Sequence, residues 1–238
     1  MFTPDYLHSQ TGIHQSLLHK MSLLKEPPIL KMAPPGFHVV KRCAKVSKDG
    51  IKFFVKAHIR KNRGQKIVLL PENILYLYWY GNHDFPNLGT VRGFPEYSEL
   101  DSVIQFWIDY WKEAGLKFPK DFDPFIVKVI IAVESSFKLK ANPNSKKSSA
   151  FGLMQVTDKT RGDVINFKDN VLDLERADLE DPVISIAMGI RWLSYKYSAI
   201  PKNNDKNLFN TLRGYYDWQK GKPYAEKVLD LYNKSLRK

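Results

Sequence analysis

The sequence predicts an α+β protein, a small basic β-rich front followed by a mainly α-helical unit. Three observations carry this. His38 to Ser47 and Ile51 to Arg60 are rich in Val, Ile and Phe and flank Lys48-Asp49-Gly50, which is turn chemistry. Ser98 to Ala114 carries Leu100, Val103, Ile104, Trp107, Ile108 and Trp111 at helical spacing. Phe125 to Val133 is apolar at every position except Lys128, the signature of a helix buried on nearly all sides.

Taken in order, residues 1–35 are polar and punctuated by Pro27-Pro28 and Pro34-Pro35, so they predict an extension with at most a short helix over Gly12 to Leu24 and then an extended linker. Residues 36–93 form the predicted β-rich unit. A second turn at Asn62-Arg63-Gly64 leads to Ile67 to Leu70, giving three antiparallel strands. Between Gly36 and Leu70 lie ten Lys and Arg against one acid, Asp49, which is +9 of the chain's +12. Such a face either docks an anionic polymer or guards a sheet edge against pairing. No nucleic-acid-binding motif accompanies it. Cys43, the one cysteine, reads as a small strand residue and leaves no internal disulfide to form. The aromatic run Glu72 to Tyr80 belongs over a core, or forms a saccharide platform. Asp84 to Tyr97, with Pro86, Gly89, Gly93 and Pro95, reads as the connector.

The helical unit spans residues 94–238. Its tryptophans at 107 and 111 fall on the apolar face and read as core. Asp123-Pro124 suits a helix start: an acceptor side chain precedes a proline, whose missing N–H the first turn does not need. Glu134 ends the run that follows, with Val127, Ile130 and Ile131 as its neighbours at helical spacing. A carboxyl on an apolar face loses hydration, its pKa rises, and it can hold a proton near neutrality as a general acid does. The other reading is a helix leaving the core for water at that point.

After Glu134 come Ser135-Ser136-Phe137, then Ala141-Asn142-Pro143, then Ala150-Phe151-Gly152-Leu153-Met154-Gln155 and Thr160. This order and spacing resemble the lytic transglycosylase family of SLT type, with its lysozyme-like fold. The family pattern runs Glu-Ser-x-Phe, an Ala, Gly-Leu-Met-Gln and a closing Thr. Asp158 stands where the family carries Pro. Further on, Asp181, Pro182, Ile186, Gly189 and Leu193 are similar to a second family segment, with Ser185 for Asn and Trp192 for Tyr. Gly189 inside a helix suggests that another backbone packs closely there. Tyr216-Asp217 is similar to the family's Tyr-Asn, lacking the glycine that follows, and Tyr215 is an alternative register. Tyr224 matches the tyrosine of a closing helix. The resemblance runs from about Phe118 to Leu231, half of the chain, and does not extend to the first 90 or so residues.

The resemblance implies cleavage of the β-1,4 bond between N-acetylmuramic acid and N-acetylglucosamine in peptidoglycan, with Glu134 as catalytic acid and then base. It implies glycan contacts for Ser135, Ser136, Gly152, Met154, Gln155, Tyr216 and Tyr224. Ser135 and Ser136 could instead cap the helix end. No second acid stands at a family-matched position. No cofactor is expected. The six histidines show no metal-ligand spacing. The expected partners are peptidoglycan strands, with an immunity or secretion-machine protein if the chain is an injected effector. Nucleic acid and stable membrane insertion are not expected, since no apolar run reaches bilayer length. The first twenty residues lack the basic-then-apolar order of a signal peptide, so action at the cell wall or periplasm would require another export route or a missing segment.

Overall fold

The computed structural model describes residues 68–79, 85, 87–120, 122–139, 150–165 and 171–237, with the backbone of four strands between residues 37 and 61. These strands are β1 (Phe37–Val40), β2 (Cys43–Val46), β3 (Lys52–Val55) and β4 (His58–Lys61). β1 pairs antiparallel with β4 and β2 with β3. The expected extension over residues 1–35, both front turns and the basic side chains lie outside the described residues.

The third expected strand is a correction. β5 (Val68–Leu69) joins neither front pair and runs parallel to β8 (Val171–Leu172), about a hundred residues later. Parallel pairing needs a long crossover rather than a hairpin turn, and the helical unit supplies it.

Helix α1 (Pro71–Trp79) follows, with Ile74 and Tyr78 buried. Residues 68–79, assigned from sequence to the front unit, therefore contribute Leu69, Ile74 and Tyr78 to the same apolar cluster as the helices that follow. Tyr78 is tied there by a 3.0 Å hydroxyl contact with Ser102 and by edge packing on Phe106.

Helix α2 (Glu99–Glu113) buries its predicted stripe, and Trp107 and Trp111 are fully enclosed. The Trp111 indole donates to the Ala187 carbonyl at 2.9 Å, which gives a buried polar tip its acceptor. Helix α3 (Phe125–Ser135) starts as the sequence requires: Asp123 Oδ1 accepts from Phe125 N at 2.9 Å. Its one internal charge, Lys128, is fully buried. Lys128 Nζ donates to Asp101 Oδ1 and to the Gly89 carbonyl, both at 2.7 Å, while Asp101 Oδ2 accepts from Leu88 N. A buried charge is tolerated only when paired and hydrogen-bonded in this way. The pair binds the connector and α2 to the helix that carries Glu134.

A short hairpin comes next, β6 (Ala150–Phe151) antiparallel to β7 (Val156–Thr157), leading into α4 (Asp158–Ile165). Asp158 is the first residue of α4. Proline and aspartate both suit that position, one by its fixed φ and the other by its charge at the positive helix end. Asp158 additionally pairs with Arg176 at 2.5 Å.

A 3₁₀ turn (Ala177–Glu180) precedes α5 (Pro182–Ser198), the central helix, which is buried from Pro182 through Ser194. Asp181 caps it, accepting from Val183 N at 2.8 Å and Ile184 N at 3.3 Å. Helices α6 (Leu208–Tyr216) and α7 (Lys222–Leu236) close the bundle, α6 against α5 and α7 against α3 and α6.

Candidate active site

Glu134 sits on the last turn of α3, where the helix emerges from the core. Val133 and Glu134 are partly accessible, whereas Phe125 to Ala132 are buried. The two readings of the sequence are thus both present: the helix does reach an opening there, and the carboxyl remains desolvated. Burial pushes the Glu134 pKa above the ordinary glutamate range, opposed by the Tyr224 hydroxyl as a hydrogen-bond donor and by the charge of Lys227.

The opening is a cleft of about 550 Å³. Its hairpin side carries Ala150, Gln155, Val156 and Thr157; its α4 side carries Lys159, Thr160 and Asp163. Trp192 and Lys196 of α5 and the run Tyr215 to Trp218 complete it. Aromatic faces with a few polar groups among them suit a ligand that has both apolar C–H faces and hydrogen-bonding groups, such as a sugar chain.

Three tyrosines surround the acid. Tyr215 is buried and its hydroxyl donates to the Met154 carbonyl at 2.9 Å, which pins α6 to the hairpin. The Tyr224 hydroxyl is also buried and closes no hydrogen bond of full geometry, although the Glu134 carboxyl lies close enough to feel it as a donor. Burial, and then the Glu134 charge, raise the pKa of both phenols, so both remain protonated donors. Tyr216 stacks on Tyr224 with ring centroids 5.3 Å apart and is 62 % exposed on the cleft wall. The residue beside the acid is thus Tyr224, backed by Tyr215, with Tyr216 lining the opening.

The remaining expected contacts divide. Gln155 does line the cleft, in a left-handed conformation (φ 46°), with its Nε2 donating to the Gly152 carbonyl at 2.9 Å. Gly152 and Met154 lie behind the cleft lining. Gly152 is buried at φ 69°, and a Cβ there would collide with the Leu179 carbonyl and the Ser185 side chain. Its lack of a side chain makes room for the 3₁₀ turn and α5. Met154 is fully buried, with its side chain packed where a Cβ on Gly189 would stand. Gly189 therefore makes room for a methionine side chain rather than for another backbone. Ser135 donates to the Ile131 carbonyl at 3.0 Å and is buried, and Ser136 is the exposed left-handed residue ending α3 (φ 52°); neither borders the cleft.

Two departures from the family pattern acquire a reason. Ser185 Oγ accepts from Met154 N at 3.2 Å, holding the hairpin turn in the small space Gly152 leaves. Asp217 Oδ1 accepts from Gln219 N at 2.9 Å and Lys220 N at 2.8 Å, an acceptor role that an asparagine oxygen also fills. Those backbone donors hold the Asp217 carboxyl below its ordinary range. The missing glycine reappears two residues late as Gly221, where a Cβ would strike the Arg213 and Asp217 carbonyls.

Residues 109–216 match the family model described as the Transglycosylase SLT domain. This segment is similar to an SLT domain. It covers just under half of the chain and includes α3, the hairpin, α4, α5 and α6. No curated protein and no solved structure matches the chain significantly. The SLT domain implies transglycosylase-type cleavage of a peptidoglycan glycan, and its mainly helical architecture with a small hairpin at the cleft is consistent with a lysozyme-like fold. Among the described residues no helix is long and apolar enough to cross a membrane.

Sequence reasoning missed Lys159, Asp163, Lys196 and Trp218 as cleft residues. Only the i, i+4 pair Trp192 and Lys196, at the end of an otherwise apolar helix, offered a signal.

Proposed function

We propose that the chain is a peptidoglycan lytic transglycosylase that cuts the bond between N-acetylmuramic acid and N-acetylglucosamine and leaves a 1,6-anhydromuramoyl end. The observation that carries this reading is the Glu134 carboxyl, desolvated yet opening onto an aromatic-lined cleft of about 550 Å³. Glu134 donates its proton to the glycosidic oxygen as the C1–O bond breaks. The substrate's 2-acetamido oxygen stabilises the developing positive charge at C1, so no protein nucleophile is required. The resulting carboxylate takes the proton of the muramoyl C6 hydroxyl while O6 bonds to C1. The acid is regenerated and no water is consumed. Tyr224 steadies the carboxylate between the two steps, and Gln155 and Tyr216 contact the sugar chain.

Glu134→Gln is expected to abolish clearing of purified sacculi while sacculus binding persists in a pull-down. Clearing by the variant would remove Glu134 from the chemistry. Binding without clearing by the unmutated chain would instead favour a wall-binding protein that has lost turnover.

Asp163 and Asp217 in the same cleft favour a second reading, a muramidase-type hydrolase in which a carboxylate activates water. Product masses decide between the two, because hydrolysis leaves a reducing end one water heavier than the anhydro product. The basic front suits a role as an injected effector, phage lysin or wall-piercing component. An effector would be toxic when directed to the periplasm and would require a neutralising partner in its producer.

A further inference from the structure

Lys196 has no assigned part in this chemistry, and its setting is unusual for a lysine. It projects from the last turn of α5 into the cleft, with its ammonium 4.1 Å from the centroid of the Trp192 ring. Trp192 is itself held in place, 7 % exposed, with its indole donating to the Tyr215 carbonyl at 3.3 Å and its ring stacked on Tyr195. The ammonium is thus fixed over an aromatic floor rather than sweeping through solvent. Partial burial lowers its pKa, while the charges of Asp163 and Asp217 act to keep it protonated and Lys159 opposes them. Neither aspartate comes within ion-pair distance of it. Asp217 turns Oδ1 to two backbone N–H groups, and Asp163 is exposed on α4.

We infer that Lys196 is a specificity-determining residue of the cleft, fixed on Trp192 to receive a single carboxylate carried by the glycan strand. The inference rests on the glycan-cleaving reading above. A murein strand offers that carboxylate in two places. The stem peptide bears it when the stem is present, and the muramoyl lactyl ether bears it once the stem has been removed. A neutral N-acetylglucosamine polymer offers none. Asp163 and Asp217 shape the choice further, since they repel a densely charged polyanion but tolerate one isolated negative group set against Lys196.

The test uses the full chain carrying Glu134→Gln, so that ligands bind without being cut. Dissociation constants are measured for a peptide-bearing muropeptide tetrasaccharide, for the same glycan stripped of stems by an amidase, and for chitohexaose. Adding Lys196→Met is expected to lower the anionic-to-neutral affinity ratio by about tenfold, the scale of one charge-assisted hydrogen bond. Lys196→Arg restores the ratio. Loss confined to the peptide-bearing ligand identifies a stem carboxylate, and loss confined to the stripped strand identifies the lactyl group. An unchanged ratio, or equal loss on all three ligands, overturns the role of Lys196 alone. Failure of the Lys196-intact protein to bind any of the three overturns it together with the glycan reading beneath it.

Discussion

Glu134 and Tyr224 define the site at the scale of single residues. Because burial raises the Glu134 pKa, the protonated acid persists above the pH at which an exposed glutamate has ionised, and activity falls as pH rises through that displaced value. Tyr224 works against burial by stabilising the carboxylate. Tyr224→Phe removes the donor without emptying the space, so the Glu134 pKa moves further up and the alkaline limb of kcat/KM shifts to higher pH. A pH–rate profile checks this; a limb that stays in place or moves to lower pH counts against contact between the two groups. Glu134 itself was legible in the sequence because it ends an apolar helical run and the Ser-Ser-Phe and Gly-Leu-Met-Gln stretches follow it at the resemblance's spacing. Tyr224 was legible only through the resemblance, since ninety residues separate it from the acid and no local pattern connects them.

The element that shapes the cleft is the hairpin joined to α5. Gly152, Met154, Ser185 and Gly189 interlock there: a missing side chain admits a carbonyl and a hydroxyl, and a second missing side chain admits the methionine. Gly152→Ala imposes left-handed strain of about 1–2 kcal/mol and overpacking of about 1–3 kcal/mol. The loss is measurable by chemical denaturation, and a change under 1 kcal/mol would mean that the turn can re-form elsewhere. The sequence placed these residues in the right neighbourhood and gave Gly189 a backbone for a neighbour where a methionine side chain stands. A glycine beside a presumed groove and a glycine in a buried helix look alike in one dimension, and only the facing surface tells which neighbour fills the gap. Helix starts fared better. Asp123-Pro124 and Asp181-Pro182 each cap the helix that follows, because a cap is satisfied within three residues.

At the scale of the whole molecule, the segment that matches the SLT model does not contain the whole of the core it belongs to. Leu69, Ile74 and Tyr78 lie before it and Ala225 and Val228 after it, all within the one core, and Tyr224 stands outside its limits. The fragment 109–216 is therefore expected to lack a cooperative thermal transition, whereas 68–237 should melt as a single unit. A sharp calorimetric transition for the shorter fragment would show that the flanks are dispensable. The parallel pairing of strands was not legible from sequence, since Val68–Leu69 and Val171–Leu172 are two-residue stretches with no periodicity to read.

That pairing has a topological consequence. By joining residue 68 to residue 171, it cinches the polypeptide into a loop that encloses the acid-bearing helix and the hairpin. Whatever precedes residue 68 is thereby leashed to the backbone just beyond α4, one wall of the cleft.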